Sequence, residues 1–186
     1  MINKAEIIYL GGIPGSGKTT IGRQISNNGF QVNYISSGEL KRPEARRRFG
    51  KSLSSLDQSE SYQINSWFFE QMMSNLDEGL YLIDTHYTYP LDSSFVRLAP
   101  EEYIKYIDLL VLVESDAESI YQRRIDRGRE EDSVNIDFIN EELIKEKEEA
   151  LRISAKHKKE LVILQNHINL EDILGFFGRC LRNRFK

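Results

Sequence analysis

Gly12-Ile13-Pro14-Gly15-Ser16-Gly17-Lys18-Thr19 is the stretch on which the reading of this chain turns. It satisfies the pattern G-x-x-x-x-G-K-[ST], follows the apolar run Ile7-Ile8-Tyr9-Leu10, and opens the helical pattern Lys18-Thr19-Thr20-Ile21. A strand that turns through glycines into a helix N-terminus is built to hold phosphate. The glycines let successive backbone N–H groups point inward without side-chain obstruction, and the helix end adds unpaired donors and partial positive charge. The expected cradle for ATP is Gly12, Gly15, Ser16, Gly17, Lys18, Thr19 and Thr20. Lys18 would bring a full positive charge to the β and γ phosphates, and the Thr19 hydroxyl is a candidate ligand for Mg²⁺.

Working outward, short apolar runs recur at Glu6 to Leu10, Gln31 to Ile35, Leu80 to Ile83, Ile107 to Val113 and Leu161 to Leu164. They lack clean alternation, as strands covered on both faces do. Helical patterns separate them at Thr19 to Asn27, Gln58 to Leu76, Asp116 to Arg127, Asp137 to Lys156 and Leu170 to Leu181, with Ser115-Asp116 a cap candidate for the third. Strands alternating with helices predict an α/β fold: a five-stranded parallel sheet flanked by helices on both faces, in one domain. The expected division is a core of 1–35, 80–123 and 136–186, a helical acceptor-binding insert of about 36–79 and a short lid of about 124–135. The run Leu80-Tyr81-Leu82-Ile83-Asp84 ends in a carboxylate. Ligands of open parallel sheets gather at the carboxyl ends of strands, so Asp84 is the expected acidic partner of Thr19 at the metal.

Composition excludes several classes. The 186 residues are 40% hydrophobic and 29% charged, enough for a packed core. The longest apolar run, Leu109 to Val113, is far short of a bilayer span, and no secretory leader is evident at Met1 to Glu6. Cys180 is alone, so an internal disulfide is excluded and a reducing, cytoplasmic setting is expected. A net charge of −4 does not suit broad nucleic-acid binding. Trp67, Phe68 and Phe69 fall at helical spacing and read as a buried face rather than a base-stacking platform. The acidic run Glu141 to Glu149 reads as a solvated helix, and the tail Arg179, Arg182, Arg184 and Lys186 as cations complementing a helix C-terminus.

The remaining motifs point to what becomes of the phosphate. No N-K-x-D base-reading motif is present, and the length leaves little room for motor or AAA-type appendages. Ser36-Ser37-Gly38-Glu39-Leu40-Lys41-Arg42 resembles the (S/T)-G-(D/E)-x-x-R stretch of the adenylate kinase superfamily. Leu82-Ile83-Asp84-Thr85-His86 resembles the strand end of the archaeal-type adenylate kinases. So do Leu98-Ala99-Pro100-Glu101-Glu102-Tyr103, the segment Glu118 to Asp126, and the last strand with its Gln165-Asn166 ending. The resemblance runs from about Ile7 to Asn166 and implies Mg²⁺-dependent phosphoryl transfer from ATP to a nucleoside monophosphate, AMP in that family. It further implies that Arg42 grips the acceptor phosphate, that a small arginine-bearing lid closes over the site, and that a trimer is allowed.

Arg123, Arg124, Arg127 and Arg129 lie within seven residues and suit a flap that neutralises the migrating phosphoryl group. Two departures from the family stand out. The lid is shortened to Arg127-Gly128-Arg129-Glu130-Glu131-Asp132, and Glu146-Lys147-Glu148-Glu149 stands where the family tends to place an arginine, with Arg152 a substitute. An anionic acceptor needs no base; an alcohol, as in shikimate- or gluconate-type kinases, would need a general base, for which the carboxylates Glu39 and Asp84 and the imidazole of His86 are the candidates. A third reading is a nucleotide-binding regulatory ATPase that transfers nothing.

Overall fold

The computed structural model describes residues 5–28, 30–91, 94–97, 101–129, 133–166, 171–172, 175 and 177–178. Expectations for Leu98 to Pro100, for the lid residues Glu130, Glu131 and Asp132, for Cys180, for the basic tail and for most of the last helix lie outside these residues.

Five parallel strands form the sheet, in the order β2 (Val32–Ser36), β3 (Gly79–Asp84), β1 (Ala5–Gly11), β6 (Leu109–Glu114) and β7 (Leu161–Gln165). The absence of alternation has the predicted cause, because successive residues enter two different cores. Ile7, Tyr9, Tyr81, Ile83, Leu110 and Leu112 pack on one face. They meet Phe68, Phe69 and Met72 of α3 (Gln58–Ser74) and Ala150 and Ile153 of α6 (Ile136–His157). Ile8, Leu10, Leu80, Leu82, Leu109 and Val111 pack on the other, against Ile21 and Ile25 of α1 (Lys18–Asn27) and Phe177. Phe68 and Phe69 are thus core residues at 1% exposure, which removes them as a base-stacking surface.

Local signals set the helix ends. Asp57 accepts from the Glu60 N–H while the Glu60 side chain accepts from the Asp57 N–H, a reciprocal cap on α3. Asp116 caps α5 (Ala117–Arg127) as expected, and Asn135 caps α6. Helix α2 (Ser37–Phe49) and a short 3₁₀ turn (Leu53–Ser55) lead into α3, and a brief α4 (Glu101–Ile104) precedes β6. An antiparallel hairpin, β4 (Thr88–Leu91) with β5 (Ser94–Arg97), was not anticipated. Pro90 within Thr88-Tyr89-Pro90-Leu91 denies that segment a regular strand signature.

Register brings the strand ends level: Leu10 pairs with Asp84, Ser36 with Asp84, and Glu114 with Gln165. The loop after β1 therefore opens beside Asp84, at the edge where β1's neighbours lie on opposite sides. No helix among the described residues is long and apolar enough to cross a membrane.

Candidate active site

A cleft of about 410 Å³ opens over this edge, bounded by the loop at 14–20, by α2 and α3, and by the end of α5 with the start of α6. Gly15, Gly17, Lys18, Thr19, Thr20 and Asp84 line it, as do Arg42, Arg124, Arg127 and Arg129. Gly12 and Ser16 lie in the loop behind that surface. Gly17 adopts φ of 97°, and a Cβ there would meet Asn166 Nδ2 at 2.0 Å. Asn166 donates to Ser16 O at 2.6 Å, so the last strand braces the loop from beneath. At Gly12, φ of 144° combines with a Cβ position 2.6 Å from Val113 O. Only glycine is accommodated at either position.

The loop has the features of a phosphate site. No side chain caps α1, so its first-turn N–H groups are open to a ligand. Ser16 Oγ is buried with no hydrogen-bond partner. Lys18 is 5% exposed, and its ammonium folds back to donate to Gly12 O at 2.5 Å and Ile13 O at 3.0 Å. Burial lowers its pKa, while the Asp84 and Glu146 carboxylates pull upward. These groups fit a polyphosphate.

Thr19 Oγ1 donates to Asp84 Oδ2 at 2.6 Å, and Tyr34 OH donates to the same oxygen at 2.7 Å. Burial first, and then the Asp84 charge, push the Tyr34 phenol above its ordinary pKa, so it remains a donor. The hard oxygens of Thr19 and Asp84 suit Mg²⁺, which takes few protein ligands when substrate phosphates complete its shell. Among the described residues no group of three His, Cys, Asp or Glu gathers as a self-sufficient metal site.

The arginines divide into two kinds. Arg123, Arg124 and Arg127 are helical, on α5, and Arg129 follows it. Arg124 is 1% exposed: its Nε donates to Pro14 O at 2.9 Å and its Nη1 to Ser133 O and to Glu142 Oε2 at 2.7 Å. These bonds fasten it to the loop, and its Nη2 has no hydrogen-bond partner. Arg123 donates to Gly15 O and Ser115 Oγ, both at 3.1 Å. Arg127 and Arg129 are exposed on the cleft rim.

Three expectations are corrected. Glu39 does not reach the cleft: it pairs with Arg23 at 2.7 Å on the surface, because the first turn of α2 carries it outward over α1. Arg152 pairs with Glu149 at 2.7 Å and Glu101 at 2.8 Å, away from the cleft lining. The acidic run on α6 is solvated on one side only. Glu142, Glu146 and Glu149 are buried, and their spacing of four and three residues places them on one helix face.

Glu146 was missed entirely. Its Oε1 accepts from Gly12 N and Tyr87 N, both at 2.8 Å, and its Oε2 from Thr88 N at 2.7 Å and Thr88 Oγ1 at 2.8 Å. Burial raises its pKa, and these donors work against the rise. One carboxylate thus fastens the start of the loop to the chain just past Asp84. His86 reinforces the joint through Nδ1, 2.6 Å from Gly12 O; the carbonyl can only accept, so Nδ1 carries the proton. Burial, then the Lys18 charge, hold the His86 pKa well below 6.5, leaving the ring neutral.

Loop, braced strand ends and paired Thr19–Asp84 define a P-loop nucleotide-binding protein. The protein-family model described as an AAA domain matches residues 11–145, and the chain belongs to that family. The chain is 24% identical over 173 residues to an adenylate kinase of Methanothermobacter thermautotrophicus, across 88% of this chain and 92% of that protein. Its fold is shared with shikimate kinase from Acinetobacter baumannii: TM-score 0.67, 19% identity, 100% of this chain and 98% of the other. A sugar kinase from Janibacter is also similar: TM-score 0.59, 14% identity, 96% and 94% coverage.

Proposed function

We propose that the protein is an ATP-dependent phosphotransferase whose acceptor is a nucleoside monophosphate, AMP first among them. The observation that carries this reading is the charge distribution around one cleft. Lys18 stands at its floor, Lys41 and Arg42 on the α2 side, and Arg123, Arg127 and Arg129 on the α5 side. Among the described residues, the carboxylates at that surface are Asp84, engaged by Thr19 and Tyr34, and Glu142, engaged by Arg124. A cleft so rich in cations is matched to two phosphorylated ligands and is poorly suited to holding a base against a neutral alcohol.

In this reading the loop N–H groups and Lys18 hold the ATP phosphates, and Thr19 and Asp84 hold Mg²⁺, which when bound neutralises charge on the transferred group. Arg42 anchors the acceptor phosphate. Arg127 and Arg129 close from the rim, exclude water and stabilise charge on the equatorial oxygens of the group in flight. Arg123, Arg124, Glu146 and Asn166 are positioning residues that keep the loop in shape. The similarity to an adenylate kinase supports this choice of acceptor, and the fold shared with shikimate and sugar kinases names its rival.

The test is a panel of AMP, CMP, UMP, GMP, shikimate and gluconate with labelled ATP and Mg²⁺. Label in a nucleoside diphosphate is the expected result. Label only in shikimate or gluconate would move the assignment to alcohol phosphorylation, and label only in inorganic phosphate would make the protein an ATPase.

A further inference from the structure

The residue before Arg42 has no assigned role, and its environment is unusual. Lys41 is 5% exposed, in helix α2, with its ammonium turned toward α3. Its Nζ donates to Asn65 Oδ1 at 2.9 Å. Asn65 is itself fixed, because its Nδ2 donates to Ser61 O at 2.8 Å one turn earlier, and that bond aims the amide oxygen at the lysine. The Phe68 ring centroid lies 5.7 Å from Nζ. Among the described residues no carboxylate comes within ion-pair distance of Lys41.

Buried cations are stable when something neutralises them. Arg124 has Glu142 at 2.7 Å. Lys18, the other buried lysine among the described residues, sits in a cradle that fits a polyphosphate. Lys41 resembles Lys18: a buried ammonium given a neutral oxygen and a ring face, at the surface of a cleft. One of its three N–H donors is used by Asn65. Lys41, Arg42, Ser37, Ser61 and Asn65 all line the cleft, opposite the loop.

We propose that Lys41, set by Asn65, is an anion-binding residue of the acceptor pocket that takes an oxygen of the acceptor's own charged group. The acceptor is then an oxyanion, a phosphate ester or a carboxylate, and not a neutral sugar or polyol. The proposal rests on the phosphotransfer reading above and narrows it.

Calorimetric binding of inorganic phosphate, AMP and shikimate tests it without turnover, with a non-hydrolysable ATP analogue as the control. Lys41→Met keeps the apolar stem and deletes the charge; Lys41→Arg keeps the charge; Asn65→Asp places an internal carboxylate against the ammonium. Loss of a charge-assisted hydrogen bond should weaken the cognate anion by about tenfold to a hundredfold in Lys41→Met and comparably in Asn65→Asp. Lys41→Arg should restore part of it, and the ATP analogue should bind all variants as it binds the wild type. Weakened phosphate and AMP would assign a phosphate ester, and weakened shikimate alone a carboxylate. Should Lys41→Met not fold, Asn65→Asp decides. Anion binding unchanged in the folded variants would overturn the proposal, as would a wild type that binds the ATP analogue but none of the three anions. A wild type that fails to bind the ATP analogue would bring down the phosphotransfer reading itself.

Discussion

Arg124 and Lys41, on opposite sides of the cleft, hold buried positive charge in opposite ways. On the nucleotide side it is tied into the protein: Arg124 to Glu142 and Pro14 O, with Arg123 beside it on Gly15 O and Ser115 Oγ. On the acceptor side Lys41 leans on a neutral amide and a ring. A cation satisfied internally is held before any ligand arrives, and removing it costs stability. A buried cation without a counter-charge costs stability to keep and recovers it on binding.

The largest effect should come from breaking the internal pairing. Arg124→Met removes the guanidinium from the buried Glu142 carboxylate and should cost about 3–5 kcal/mol in denaturant unfolding, much of which the double change with Glu142→Leu should restore. Equal losses in the single and double variants would show that the pair does not hold this side. Lys18→Ala should lower phosphoryl transfer by at least about a hundredfold while leaving the unfolding midpoint near the wild-type value, since the residue serves a ligand more than the fold. At the rim, Arg127→Lys or Arg129→Lys should reduce kcat by roughly tenfold and change ATP affinity less, because a point charge cannot reproduce a guanidinium fork. Equal loss of both would argue against a role confined to the transferred group.

A subtler contrast lies in pH. Burial, with Arg42 nearby, brings Lys41 down from 10.5 to about 8, against the upward pull of Asp84; α3 offers it only the uncharged Asn65 and Phe68. Between about 8 and 10.5 the unfolded chain holds a proton that the folded chain has released, so this lysine's contribution makes stability rise with pH there. Acceptor binding needs the ammonium and should fall over the same rise, beginning near pH 8. Lys41→Met should flatten both trends; a wild type whose acceptor affinity holds constant from pH 7 to 9 would count against the assignment. The smallest effect belongs to Glu39→Gln, which should leave turnover and stability close to wild type, as expected for a solvent-exposed pair. A large fall in kcat there would revive a carboxylate base and with it an alcohol acceptor.

What could be read from the sequence follows from how local each cause is. The loop, the strand ending in Asp84 and the caps at Asp116 and Asn166's strand are encoded by neighbours in the chain, and short-range pattern suffices for them. Glu146 acts on Gly12, 134 residues away, and nothing near it in sequence says so. The one available clue was charge periodicity: Glu142, Glu146 and Glu149 share a helix face, as apolar residues would, inside a run whose composition reads as solvated. Lys41 was hidden in the same way, because a lysine beside an arginine in a polar helix reads as surface. Its burial depends on Phe68 and Asn65 arriving from α3. Glu39 misled for the converse reason: motif position placed it near the acceptor, whereas the helical turn aimed it at Arg23.

The account stands most directly on reversibility. A protein that passes phosphate between two bound nucleotides must also run backwards, so ADP alone with Mg²⁺ should yield equal amounts of ATP and AMP, followed by phosphorus NMR, and Lys18→Ala should abolish it. ADP left unchanged by a wild type that binds it, or degraded to AMP and inorganic phosphate with no ATP formed, would contradict the claim.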